Sequence, residues 1–204
     1  MHLNEYQERA ARTLGSYDGL DDMALMAKTG MIAEAGEALD CYKKIVWRQD
    51  EAEKDKLILE LGDMAFYLAA YFTSRGDQLQ KTQAYPTSSL VCSGIGSSLR
   101  GRLVNLVRLT LLFDDVNGES KGGRDQARAY GWVILAEIHA TALGLGHTLD
   151  EVFRGNLDKL ARRFKGRFTP EEAAAKADMM SPVELKLREQ VAALRAELDG
   201  LRVA

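Results

Sequence analysis

Two short acidic segments carry the residue types that metal-assisted chemistry uses. Residues 33–40 read AEAGEALD, with Glu34 and Glu37 three positions apart, and residues 60–63 read ELGD, with Glu60 and Asp63 at the same spacing. Successive residues of an α-helix turn by about 100°, so positions i and i+3 share a face. Acids on a helix are most often a solvated face. The stretch from Leu57 to Phe72, LILELGDMAFYLAAYF, argues otherwise, because Glu60 and Asp63 are its only charged residues. A helix apolar all round is expected to be buried. A buried carboxylate without a partner costs several kcal/mol, so it needs a cation, a proton or a metal. Lys56, one turn before Glu60, can neutralise one acid but hardly four. Small residues (Gly30, Ala33, Ala35, Gly36, Ala38) surround Glu34 and Glu37 and allow a neighbouring helix to come close.

Oxygen ligands without cysteine or histidine suit a hard cation, Mg²⁺ or Mn²⁺. A ferritin-like di-iron bundle uses Glu-x-x-His pairs, and none occurs: Glu137 and His139 are only two apart and cannot share a face. Asp40 lies one step further round the same helix as Glu37, where a solvated role, or one behind the ligands, is favoured over direct ligation.

The elements that must position these acids read as helices throughout. Prolines number three, long stretches carry helical periodicity, and convincing strand alternation is absent, so the expected class is all-α. Helices are expected from about Leu3 to Leu14, Asp22 to Trp47, Glu53 to Ser74, through LVNLVRLTLLFDD, from Asp125 to Leu143, and from Thr148 to Phe164. Thr148 and Glu151 form a capping-box signature for the last of these. Beyond Phe168 the character changes. TPEE and SPVE are further helix starts, and Leu187, Val191, Leu194, Leu198 and Leu201 make a short heptad stripe. That stripe suits either packing on its own domain or an oligomer contact.

Composition bounds the rest. The chain has 204 residues, 46% hydrophobic, and a net charge of −3 without a long basic block, which gives little support to a nucleic-acid or membrane-surface role. The opening MHLNEYQERAARTLG lacks the apolar run of a signal peptide, and no segment approaches the ~20 apolar residues of a membrane span. Cys41 and Cys92 make neither a disulfide framework nor a zinc pattern, and Cys41 reads as a small buried residue; the expected setting is cytoplasmic. GIGSSLRG lacks the Gly-Lys-Ser/Thr ending of a Walker A loop and reads as a helix boundary. His147, in a turn without a histidine partner nearby, reads as surface.

The paired acids, Glu34-x-x-Glu37 followed by Glu60-x-x-Asp63, resemble the signature of the all-α nucleoside triphosphate pyrophosphohydrolases, the MazG-like and dimeric dUTPase-like superfamily. ELGDMAFYLA is close to the form that the motif takes there. NEYQERAART is similar to the family's N-terminal helix, and NLDKLARRF to its closing Asn-x-x-Lys-Leu-x-x-Arg segment. The resemblance covers roughly residues 3–74 and 130–168. It implies a MazG-like helical bundle over residues 1–168, with 76–128 as an inserted helical segment, and a C-terminal helical extension over 169–204 carrying the heptad helix.

The resemblance further implies Mg²⁺-dependent cleavage of a nucleoside triphosphate, NTP or dNTP, between the α and β phosphates. Mn²⁺ is a possible substitute. Glu34, Glu37, Glu60 and Asp63 are then the metal ligands, with Glu34 or Glu37 as the proton acceptor. Lys56, Lys159 and Arg163 become candidates for phosphate, Asn156 and Tyr67 for the nucleotide, and Gln7 and Trp47 for base contact. Each has a plainer reading: Lys56 as an acid-pairing lysine, Lys159 and Arg163 as a solvated face, Tyr67 as core, Trp47 as a packing anchor. A homo-oligomer, dimer or tetramer, is also implied. A non-catalytic helical scaffold that uses the heptad tail for partners is the rival from another class.

Overall fold

The computed structural model describes residues 1–15, 19–84 and 98–164. Among them are six α-helices and one short 3-10 helix, with no strand, in agreement with the all-α expectation. None of the described helices is long and apolar enough to cross a membrane. Cys92, the remainder of GIGSSLRG before Ser98, and the tail after Phe164 with its heptad stripe lie outside the described residues.

Helix α1, Leu3–Ala11, buries Leu3, Tyr6, Gln7 and Ala10, the i, i+3, i+4, i+7 spacing of one helical face. It stops short of Leu14 because the chain tightens there. The amides of Arg12, Thr13 and Leu14 bond three residues back, and the Thr13 hydroxyl donates to the Ala10 carbonyl at 2.8 Å. Helix α2, Leu20–Arg48, ends where Gln49 adopts a left-handed conformation with φ 54°. Helix α3, Glu53–Ser74, has the expected bounds. From Leu57 to Phe72 it is buried except at Leu59, Asp63, Phe66 and Tyr67, which are half-buried. Leu57, Leu61, Met64 and Leu68 have no exposure at all, and burial of each contributes about 1.5–3 kcal/mol.

Helices α2 and α3 form the principal packed pair, and α3 also touches α1, α5 and α6. It is therefore the central rod of the bundle. After it come the 3-10 helix, Leu79–Ala84, and α4, Leu99–Asp114, capped by the Ser98 hydroxyl. Helix α4 packs on α2 and α5 and buries Leu103, Leu106, Leu109 and Phe113, so the described part of residues 76–128 belongs to the core. Helix α5, Lys121–Gly144, starts earlier than Asp125 because the Ser120 hydroxyl accepts the Gly123 amide at 2.9 Å and caps the turn. Helix α6, Leu149–Arg163, begins with the expected capping box of Thr148 and Glu151.

Two glycines on the paired helices differ in their surroundings. A Cβ at Gly62 on α3 would lie 2.9 Å from the Cβ of Asn156 on α6, whereas one at Gly36 on α2 would meet nothing within 4 Å. Gly36→Ala is expected to raise stability by about 0.5–1 kcal/mol through helix propensity alone. Gly62→Ala gains the same term but forces α3 from α6, an overpacking cost of about 1–3 kcal/mol. Thermal melts should therefore move the two variants in opposite directions, Gly36→Ala upward and Gly62→Ala downward.

Candidate functional site

Three carboxylates converge where α2 meets α3. Glu34 from α2 and Glu60 and Asp63 from α3 each offer one oxygen, and these lie within 4.8 Å of one another, the one such group of ligating side chains among the described residues. Glu60 is only 6% exposed, while Glu34 and Asp63 are half-buried. The helical spacing of Glu60 and Asp63 gives both to the same face, and the close α2–α3 contact brings Glu34 against them. Glu37, one turn beyond Glu34, lies outside this group; its side chain is 56% exposed, with its Oε2 3.8 Å from Lys56 Nζ.

Charge crowding perturbs these acids. The Glu34 carboxyl is pushed up to about 8, first by burial and then by the charges of Asp63 and Glu60 and by its hydrogen bond with Glu60. Glu60 is raised too, chiefly by burial, with Lys159 and Lys56 opposing the shift. The pair therefore retains a proton between its two carboxyl groups under conditions where exposed glutamates are ionised.

Helix α6 supplies the positive side. Lys159, 9% exposed, donates from Nζ to Asp63 Oδ2. Asn156, 1% exposed, donates from Nδ2 to Asp63 Oδ1 at 2.8 Å, and its Oδ1 accepts the Tyr6 hydroxyl at 2.9 Å. Burial, and then the charge on Asp63, raise the Tyr6 phenol well above its ordinary range, so it keeps its proton and remains a donor. Lys56 Nζ lies 3.8 Å from both Glu37 and Glu60, the acid-pairing geometry.

A cleft of about 110 Å³ opens beside Glu34 and Asp63, walled by Met26, Phe66, Tyr67 and Leu160 and closed at the end of α6 by Arg163 and Phe164. Tyr67 reaches this cleft because Gly30 leaves room for its ring; a Cβ there would come within 2.5 Å of it. A roomier hollow of about 360 Å³ is bordered by Met1, Trp132 and His139. None of the clustered carboxylates lines it, so size alone does not mark the site.

The fold thus gathers Glu34, Glu60, Asp63, Asn156 and Lys159, with Tyr67 and Arg163 bordering the adjoining cleft and Lys56 on the rim. It does not bring Gln7 or Trp47 there. Gln7 joins α1 to the end of α3: its amide donates to Thr73 Oγ1 and the Asp77 carbonyl, and its side-chain oxygen accepts the Leu79 amide. Trp47 is 71% exposed, edge-on to Tyr42, and roughly 20 Å along the α2 axis from Glu34 at 1.5 Å per residue. Asp40 pairs with Lys43 and Lys44, which depress its carboxyl to about 2. Cys41 is buried, as expected. Tyr6 was not distinguishable in the sequence, since its place on the apolar face of α1 reads equally well as a phenylalanine.

Three carboxylate oxygens at this separation can accept a hard cation, because all are oxygen donors and one is deeply buried. Without a cation, the raised Glu34 carboxyl binds its proton more tightly in the folded chain than in the unfolded one. Stability then falls as pH rises from the ordinary glutamate value of 4.5 toward about 8. In metal-free buffer, Glu34→Gln should flatten this dependence, melting above the wild type at pH 8 and with a smaller difference at pH 5; a parallel pH profile in both proteins would refute the assignment.

No protein-family model matches the chain, and neither curated proteins nor solved structures give a match.

Proposed function

We propose that this chain is a Mg²⁺-dependent nucleoside triphosphate pyrophosphohydrolase that cuts between the α and β phosphates, releasing monophosphate and pyrophosphate. The observation that carries the reading is the convergence of Glu34, Glu60 and Asp63 within 4.8 Å beside an apolar cleft. A chain without such chemistry would gain stability by replacing these acids with apolar residues, since buried charges repay their desolvation poorly. The motif resemblance supplies the reaction class, and the donor set suits it.

Glu34, Glu60 and Asp63 are the residues that would hold Mg²⁺, with Mn²⁺ as substitute, and Glu37 stands at the open edge. The cation, when bound, offsets the triphosphate charge, aligns the α-phosphorus and makes a water more acidic. The chain's own residues do the remainder. Asn156 and Lys159 hold the two oxygens of Asp63 in one orientation. Arg163, one turn beyond Lys159 on α6, borders the cleft and offers positive charge to the phosphates, while Lys159 stays on Asp63. Met26, Phe66, Tyr67 and Leu160 offer the nucleoside an apolar wall. The water's proton passes to Glu34 or Glu37, of which Glu37 is the more exposed. The proposal includes the homo-oligomer, dimer or tetramer; Leu25, Leu111 and Leu112 are exposed apolar side chains that such a contact would cover.

The deciding experiment is a panel of NTPs and dNTPs with Mg²⁺, the products resolved by chromatography. Monophosphate plus pyrophosphate is expected, and diphosphate plus phosphate would place the cut elsewhere. Turnover of none would leave the helical scaffold. Asp63→Asn and Glu60→Gln are each expected to cost at least about 100-fold in kcat, the scale on which a misplaced reactive group acts, with circular dichroism unchanged. Glu37→Gln separates the two proton acceptors: if Glu37 is the base, the variant loses turnover while retaining Mn²⁺ affinity, and if turnover survives, the base is Glu34, whose Gln variant is expected to lose Mn²⁺ affinity as well.

A further inference from the structure

Lys159 donates to one oxygen of Asp63, and the Asn156 amide nitrogen donates to the other at 2.8 Å. Oδ1 of Asn156 then faces Tyr6, and the phenol must be the donor in the 2.9 Å contact. The phenol has one proton and a second acceptor, the Gly62 carbonyl, at 3.4 Å, so the shorter bond to Asn156 takes it. Tyr6 is fully buried and stacked on Phe153, with ring centroids 4.1 Å apart and planes 12° from parallel. A flipped Asn156 amide would put two oxygens together at Asp63 and lose the 2.9 Å bond that the phenol donates to Oδ1. Asp63 therefore sets the amide orientation, and the tyrosine, held by its ring, anchors the amide oxygen that this orientation turns away from the carboxylate.

We propose that Tyr6 is a positioning residue of the cation site, acting through Asn156 on Asp63. The phenol anchors the amide by its oxygen, the amide aims Oδ1 of Asp63, and Lys159 holds the other oxygen. The remaining lone pairs of the carboxylate are thereby presented toward Glu34 and Glu60. This rests on the reading of the three acids as a cation site, and adds to it a residue from a helix that contributes no ligand. Partners behind a metal ligand typically change affinity by about 10–100-fold.

The test is Mn²⁺ binding to the full chain, followed by electron paramagnetic resonance, in wild type, Tyr6→Phe, Asn156→Ala and the double variant. Tyr6→Phe is expected to weaken Mn²⁺ about tenfold. In the Asn156→Ala background the same change should have no further effect, because the path runs through the amide. Phe153→Leu removes the stacking partner but keeps the hydroxyl, and should bind Mn²⁺ within about twofold of wild type; a merely structural role for Tyr6 predicts equal losses in both. Wild-type affinity in Tyr6→Phe, or a loss that persists without Asn156, overturns the positioning role and leaves the cation reading standing. Absence of Mn²⁺ binding in wild type removes the cation reading and this role with it. Should Tyr6→Phe fail to fold, the wild-type Tyr6 hydroxyl and Asn156 amide protons serve instead: both should shift in nuclear magnetic resonance spectra on Mg²⁺ addition, and unmoved signals overturn the role.

Discussion

A carboxylate inside a helix bundle must be compensated, and the burial of Glu60 in the central helix imposes that condition on everything around it. At 6% exposure, Glu60 has lost most of its water, and an uncompensated charge there would cost several kcal/mol. Its neighbours are arranged accordingly. Lys56 approaches from one turn earlier on α3, and Lys159 holds the adjacent Asp63 from α6. Glu34 keeps a proton toward about 8 rather than add a further negative charge. Helices α2, α3 and α6 are thus coupled electrostatically as well as by apolar packing.

The direction of each acid's shift follows from its surroundings rather than from its residue type. Asp40, on the same helix as Glu34, faces solvent and two lysines, and its carboxyl falls to about 2. Glu34 meets two other acids away from water and rises to about 8. One helix therefore carries an acid stabilised as an anion and another stabilised with its proton. The second arrangement is the one that a divalent cation can relieve, because it replaces a proton and offsets the crowded charges together.

Close approach between helices gives the site its shape. Gly30 admits the Tyr67 ring to the α2–α3 contact, and Gly62 lets α3 meet Asn156 of α6. With larger side chains at these positions, Asn156 would stand off from Asp63 and Tyr67 would leave the cleft. The apolar positions in α4 and α5 act at longer range: Phe113 packs edge-on against Tyr71, holding α4 against the far end of α3. The described part of residues 76–128 therefore steadies the bundle from the side away from the first turns of α3.

The sequence determined the all-α class, the bounds of α3, the α6 capping box and the pairing of acids, because helical periodicity and cap chemistry are local. An acid in an apolar helix advertises itself through its neighbours, and so Glu60 and Asp63 were legible. What lies between helices was not. Glu34 joins the cluster while Glu37, on nearly the same face, stays outside, since the difference depends on the rotation of α2 against α3. Gln7 and Trp47 looked available for a ligand, but tertiary packing gives Gln7 to the α1–α3 junction and leaves Trp47 at the exposed end of α2. Tyr6 carried no signal at all. Only the meeting of α1, α3 and α6 places its hydroxyl behind Asn156, because hydrogen bonds across such separations in sequence exist only once the chain has packed.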